Sequence, residues 1–205
     1  MFPINLSNQK PNHSNVLFVA PMIEPEKINV LKTIDTWIDN AKTKDSLPDK
    51  NPTVFFAAWN MYKMLRSSLQ NTLSDKESNS SNSFNLFSSG EIFLCKDGRD
   101  CIQGIMEISE KTSKIYVNFL ATHPNNLRSH LNEQEPNRVT GAGSLLLWKA
   151  KQIAVERGKK EVELQATSLS IGFYQKQGFM QPHPKSYWMT YQIDTLAQEK
   201  LNPAA

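Results

Sequence analysis

The sequence predicts one α/β (α+β) domain. Short strand-like apolar runs are interspersed with stretches whose apolar residues recur every three or four positions. Two of the runs are joined by a hairpin signal, and no internal repeat divides the chain. Its 205 residues fit one larger domain better than two. We read residues 1–14 as an N-terminal extension, 15–193 as the domain and 194–205 as a frayed or helical tail. At 39% hydrophobic and 21% charged residues, the chain is too apolar for disorder throughout and too polar for a membrane protein. No run approaches the roughly 18 to 20 apolar residues of a membrane span, and Met1 to Lys10 has no signal-peptide pattern, so the expectation is a cytoplasmic protein without a membrane partner. The net charge of +3 falls far short of a nucleic-acid binder's clustered excess.

Asn15 to Ala20 reads as a short buried strand ended by Pro21. Between Pro25 and Lys42, Ile28, Leu31, Ile34, Ile38 and Ala41 form one apolar helix face. Asn51-Pro52 supplies an N-cap followed by proline at the first helical position, and Phe55, Trp59, Tyr62, Leu65, Leu69 and Leu73 continue at helical spacing. Ser74 to Gly90 holds seven Ser and three Asn and reads as a mobile loop. Glu91 to Lys96 and Cys101 to Ser109 are strands joined by a hairpin whose tip, Asp97 to Asp100, we expect to be dispensable. Ile115 to Thr122 is a third strand, and Asn125 to Asn137 is polar and irregular. Gly143 to Arg157 carries a helical apolar face with Gly158 as its cap. Glu161 to Ala166 is a strand, Leu169 to Gln177 a short helix ended by Gly178, and Tyr187 to Ile193 the last strand. Cys95 and Cys101 flank the hairpin, where a bond is conceivable, yet two thiols without a secretion signal are usually reduced.

Arg138-Val139-Thr140-Gly141-Ala142-Gly143-Ser144 runs from an irregular segment into a helix. Two glycines one residue apart let successive N–H groups turn toward one centre, and a helix N-terminus adds about half a positive charge, which together suit a phosphate. An isolated pair of this kind serves equally as a tight turn. The Lys-Ser/Thr ending of a nucleotide P-loop and the third glycine of a dinucleotide fingerprint are both missing, which points to a different phosphate carrier.

In these residues the sequence resembles the GNAT superfamily of acetyl-CoA-dependent N-acetyltransferases. Arg138, Gly141 and Gly143 match that family's signature of Arg or Gln, two residues, Gly, one residue, then Gly or Ala. Phe173-Tyr174-Gln175-Lys176-Gln177-Gly178-Phe179 matches a second family element. The order of strands and helices agrees as well, including a meander containing Ile102-Gln103-Gly104.

The resemblance implies a GNAT-type mixed, mostly antiparallel central sheet flanked by helices, with acetyl-CoA as co-substrate and no metal. It implies that Arg138, Val139, Thr140, Gly141, Ala142, Gly143 and Ser144 hold the pyrophosphate. The pantetheine arm would pair between Ile115 to Thr122 and Glu161 to Ala166, with backbone groups of Leu120, Ala121 and Thr122 at the acetyl group. Tyr174 would protonate the leaving thiolate, because a phenol is protonated at neutral pH. A primary amine with a pKa near 10.4 is mostly protonated at pH 7, so a base is needed; Glu163 is our choice, with Glu107 and His123 as competitors. Thr167 stands where many members carry a cofactor-binding Asn, and a hydroxyl replaces only part of an amide's bonding. Lys149, Lys151, Arg157, Lys159 and Lys160 read as a solvated face, with the nucleotide 3′-phosphate as the functional alternative. The acceptor would be the primary amine of a small molecule or protein, attacked directly in a ternary complex by a monomer or homodimer. The rival reading is a non-catalytic acyl-CoA-binding or protein-interaction module on the same fold.

Overall fold

The computed structural model describes residues 16–45, 52–74, 90–127 and 139–193. In chain order these form β1 (Leu17–Pro21), α1 (Lys27–Asp45), α2 (Pro52–Ser74), β2 (Glu91–Asp97), β3 (Ile102–Glu110), β4 (Lys114–Thr122), α3 (Ala142–Glu156), β5 (Glu161–Gln165), α4 (Ile171–Lys176) and β6 (Trp188–Gln192). The six strands lie side by side in sequence order. All neighbours are antiparallel except β4 and β5, which run parallel because α3 returns the chain to the starting end. Asn51, most of the Ser74 to Gly90 segment, Arg138 and nearly all of the Asn125 to Asn137 connection lie outside the described residues, as do residues 1–14 and 194–205.

Each sheet face carries its own core. On one, α3 and the ring of Tyr174 pack on Phe93, Met106, Ile108, Ile115, Val117, Val162, Leu164 and Met189. On the other, α1 and α2 cover Ile92, Leu94, Ile105, Phe119 and Ala121. The buried stripe of α1 is Val30, Ile34, Trp37 and Ala41, while Ile28 is exposed. Leu31 and Ile38 pack partly buried against this stripe, so only Ile28 departs from the expected face, which the structure extends to Val30 and Trp37.

Two bulges shape the sheet. Between β2 and β3 the register passes from Cys95↔Gly104 to Lys96↔Ile102, leaving Gln103 as the extra residue. Between β3 and β4 it passes from Glu107↔Phe119 to Ile108↔Val117, leaving Asn118 extra. A bulge bends its strand and flips the alternation beyond it. Ile115 and Val117 therefore face α3, whereas Phe119 and Ala121 face α1 and α2.

Small residues let the layers approach. A Cβ on Gly104 of β3 would stand 2.9 Å from Leu146 Cδ1 and 3.5 Å from Ala142 Cβ, so the first turns of α3 sit close on the strand. Gly158 and Gly178 follow α3 and α4 with φ of +63° and +83°, the left-handed conformation that ends helices. Lys151 of α3 donates to the Gln177 carbonyl at the end of α4, and its ammonium lies 3.8 Å from the Tyr191 ring centroid. Burial in this setting lowers its pKa. Cys95 is buried and Cys101 exposed, and both thiols are free. Among the described residues no helix is long and apolar enough to cross a membrane.

Candidate functional site

Pairing between β4 and β5 runs from Lys114↔Glu161 to Val117↔Leu164 and ends there, while β4 continues to Thr122. The ladder stops beside the Asn118 bulge, where β4 bends, one residue before β5 ends at Gln165, and beyond it the described residues leave the β4 edge unpaired on that side; the space beside that edge is the wedge. Leu120, Ala121 and Thr122 line its β4 side beyond that point. The Leu120 side chain packs toward α3 and Ala121 lies under α1 and α2. The Thr122 carbonyl accepts a 2.6 Å hydrogen bond from the buried Tyr62 hydroxyl of α2, so that oxygen is already engaged.

At the wedge's mouth stands the N-terminus of α3. Gly141 is its N-cap with φ +96°, a conformation that side chains oppose, and no side chain caps the helix. Leu145 is the first residue to donate back, to the Gly141 carbonyl, so the N–H groups of Ala142, Gly143 and Ser144 precede the helical ladder. A Cβ on Gly143 would stand 3.2 Å from Phe173 Cζ and 3.5 Å from Thr122 Cγ2. The end of β4, the start of α3 and Phe173 of α4 thus converge on this glycine. Thr140 is exposed beside it, and Arg138 lies outside the described residues. Val139 differs from the expectation that all these N–H groups face a phosphate, because its N–H is donated to Asn126 Oδ1 at 2.9 Å.

Tyr174 projects from α4 into the α3-side core, only 8% exposed, with ring centroids of Phe173 and Phe179 at 5.2 and 6.0 Å. Burial pushes its pKa up to about 12, which keeps the phenol protonated. Val162 and Leu164 point into that same core, so Glu163 between them points to the opposite sheet face. Its carboxylate accepts from Lys114 Nζ at 2.8 Å, and Lys114 also pairs with Glu161 at 3.0 Å. Hydrogen bonds to Glu163 and then Glu161 raise the Lys114 pKa.

The competing bases are also engaged. Glu107 is buried and accepts from Ser68 Oγ at 2.9 Å and Asn118 Nδ2 at 3.2 Å. His123 Nδ1 accepts from the Asn125 N–H at 3.1 Å, which puts the proton of a neutral ring on Nε2. The Thr167 hydroxyl lies 3.0 Å from Ser170 Oγ in the turn before α4. Arg157 and Lys159 pair with Glu110, and Arg157 also with Glu91, at the far end of α3. That helix has 15 residues, so these cations stand about 22 Å along it from the glycines and act as a paired surface.

Sequence reasoning missed a buried polar chain behind the α3 N-terminus. Asp97 is fully buried and accepts from the N–H groups of Arg99 at 2.9 Å and Cys101 at 3.1 Å, and from Gln103 Nε2 at 3.0 Å. Burial would raise its pKa, but those backbone hydrogen bonds and the Arg99 guanidinium outweigh it and hold the carboxyl below the ordinary range. The hairpin tip is therefore tied into the sheet, which corrects the expectation of a dispensable turn. The bulged position of Gln103 and an Asp at a strand end were the available signals, and neither is visible without the strand register.

No family model matches the chain, and no curated protein matches it. Solved structures do match. A GCN5-related N-acetyltransferase from Rhodopseudomonas palustris aligns at TM-score 0.52 over 86% of this chain and 95% of that one, with 12% identity. A GNAT-family acetyltransferase from Staphylococcus aureus Mu50 aligns at 0.51 over 87% and 100%, with 13% identity. The GNAT-family N-acetyltransferase YhbS from Escherichia coli, solved in complex with CoA, aligns at 0.51 over 97% and 91%, with 11% identity. At such identities the likeness is one of fold.

Proposed function

We propose that this chain, which has the fold of the GNAT N-acetyltransferases, transfers an acetyl group from acetyl-CoA to a primary amine. One observation carries the reading: beyond Val117 the β4 edge is left without a β5 partner, and beside its end at Thr122 an uncapped, glycine-started helix presents its first N–H groups. Those N–H groups and the positive helix end suit a pyrophosphate. The unpaired edge of β4 offers the backbone donors and acceptors that an extended amide-bearing arm needs. Acetyl-CoA brings both parts together with a thioester, whose carbonyl an amine attacks through an oxyanion before thiolate departs.

The chain's own residues divide the proton work across the sheet. Tyr174, on the α3 side, holds its proton through the neutral range and would give it to the departing sulfur. Glu163, on the opposite face beside the last β4–β5 pair, would take a proton from the incoming amine. It does so only by exchanging Lys114 for the acceptor's ammonium, since Lys114 holds it now. An acceptor entering from that face keeps base and acid on opposite sides of the reacting carbon. We place no role on Thr167 beyond its turn, and we assign no metal; among the described residues no cluster of His, Cys, Asp and Glu stands ready for one.

The engaged state of Glu163, Glu107 and His123 favours a second reading, a CoA-binding module without turnover. Release of free CoA thiol from acetyl-CoA, measured against a panel of small amines, polyamines and lysine peptides, separates the two. Amine-dependent release with a matching acetylated product supports transfer. CoA binding with no release above the hydrolytic background across the panel supports the module, and no binding at all removes both.

A further inference from the structure

We propose that Asn126 is a positioning residue of the phosphate cradle, aligned by Asp97 through Gln103; the proposal rests on the α3 N-terminus being the pyrophosphate site. Asn126 ends the 3-10 turn Pro124–Asn126 that follows β4. Its Nδ2 donates to Gln103 Oε1 at 3.1 Å, and its Oδ1 accepts the Val139 N–H at 2.9 Å. Gln103 is the extra residue of the β3 bulge, so its side chain is turned inward, 7% exposed, and its Nε2 donates to Asp97 at 3.0 Å.

The direction of this chain is forced. An ionised carboxylate only accepts, so Gln103 must offer Asp97 its nitrogen and leave its oxygen toward Asn126. Asn126 must then offer its nitrogen to that oxygen and turn its own oxygen toward Val139, whose N–H only donates. Reversing either amide sets donor against donor or acceptor against acceptor. One buried charge at a hairpin end thereby fixes the orientation of a peptide two residues before the N-cap Gly141. The Val139 N–H is taken out of the ligand's reach, and the N–H groups of Ala142, Gly143 and Ser144 remain as the donors.

The test is NMR on the full chain. In Asn126→Ala, amide exchange at Val139 should accelerate at least tenfold while the α3 interior amides keep their protection. Affinity for CoA should fall about tenfold, the worth of roughly one hydrogen bond. Affinity for pantetheine, which lacks the pyrophosphate, should not change. Gln103→Met, which fills the same space without the amide, should give the same selective loss and serves if Asn126→Ala does not fold. Asn126→Asp keeps an acceptor for Val139 but sets a carboxylate against Gln103 Oε1, so it should also show the faster exchange and the selective loss. Equal loss of CoA and pantetheine would overturn the proposal in favour of general structural support, and unchanged CoA affinity with fast Val139 exchange would overturn it outright. A wild-type protein that binds no CoA would instead overturn the reading on which the proposal rests.

Discussion

Tyr174 is the side chain whose environment and chemistry agree most directly. A phenol buried enough to hold its proton up to about pH 12 remains a donor wherever the protein is folded. Tyr174→Phe keeps the ring contacts with Phe173 and Phe179 and removes only the hydroxyl. Turnover should fall about a hundredfold to ten-thousandfold, the usual range for general acid catalysis, with CoA affinity within a few-fold of wild type. Steady-state rates and calorimetry check this, and wild-type turnover in the variant would leave Tyr174 as packing. The raised value also predicts no alkaline limb from this group below about pH 10. Asp97 carries the complementary prediction for stability. Its folded pKa lies below the ordinary aspartate value of 3.8, so its contribution is complete above that pH and is lost as pH falls toward the folded value. Asp97→Asn sets an amide nitrogen against donors and should cost about 1 to 3 kcal/mol at pH 7. In urea titrations the gap between wild type and variant should narrow below pH 3.8.

Among the elements, the start of α3 is the one whose residue choices can be tested one at a time. Gly143 lies against Phe173 and Thr122 with no room for a long side chain. Gly143→Glu would push a carboxylate toward the N–H groups of the first turn, satisfying them internally and repelling a phosphate. Saturating CoA, at a hundred times its Kd, should raise the melting free energy of the wild type by about 2.7 kcal/mol and that of the variant not at all. A thermal shift retained in the variant would remove the cradle from the site. The order of elements was legible because helices and strands write their periods locally, and Gly158 and Gly178 announced their helix ends. The β4–β5 wedge was legible only through the family resemblance. The bulges were not legible, since Ile115 to Thr122 is apolar almost throughout and conceals on which face each residue falls. The hydrogen bonds made by Asn126, Gln103, Asp97 and Tyr62 escaped notice for a related reason. Their partners are remote in sequence or depend on strand register, which no local pattern records.

For the whole molecule, one sheet separates two cores, and the helices above and below it hold different parts of the wedge. Tyr62, packed edge-on to Trp37 at 5.5 Å, reaches from α2 to the last residue of β4, while α3 and α4 stand on the other face. Strand β4 crosses from one core to the other at Asn118. Removing Asn118 would leave Val117 facing α3 and Phe119, Leu120 and Ala121 on the faces they already occupy, with the β3 register continuous from Ile108↔Val117 to Glu107↔Phe119. The deletion variant should therefore fold, and its straightened strand should extend its pairing past Leu164 onto Gln165 and narrow the wedge. Circular dichroism should report an intact fold and CoA titration no binding; binding at wild-type strength would show that the bulge does not open the site. On the proposed function, the space for the pantetheine arm arises from a single surplus residue in β4, beside the cradle at the start of α3. Such a chain would acquire or forfeit that space by a one-codon insertion or loss that keeps the apolar core contacts and removes only the Asn118 hydrogen bonds to Glu107 and Ser109.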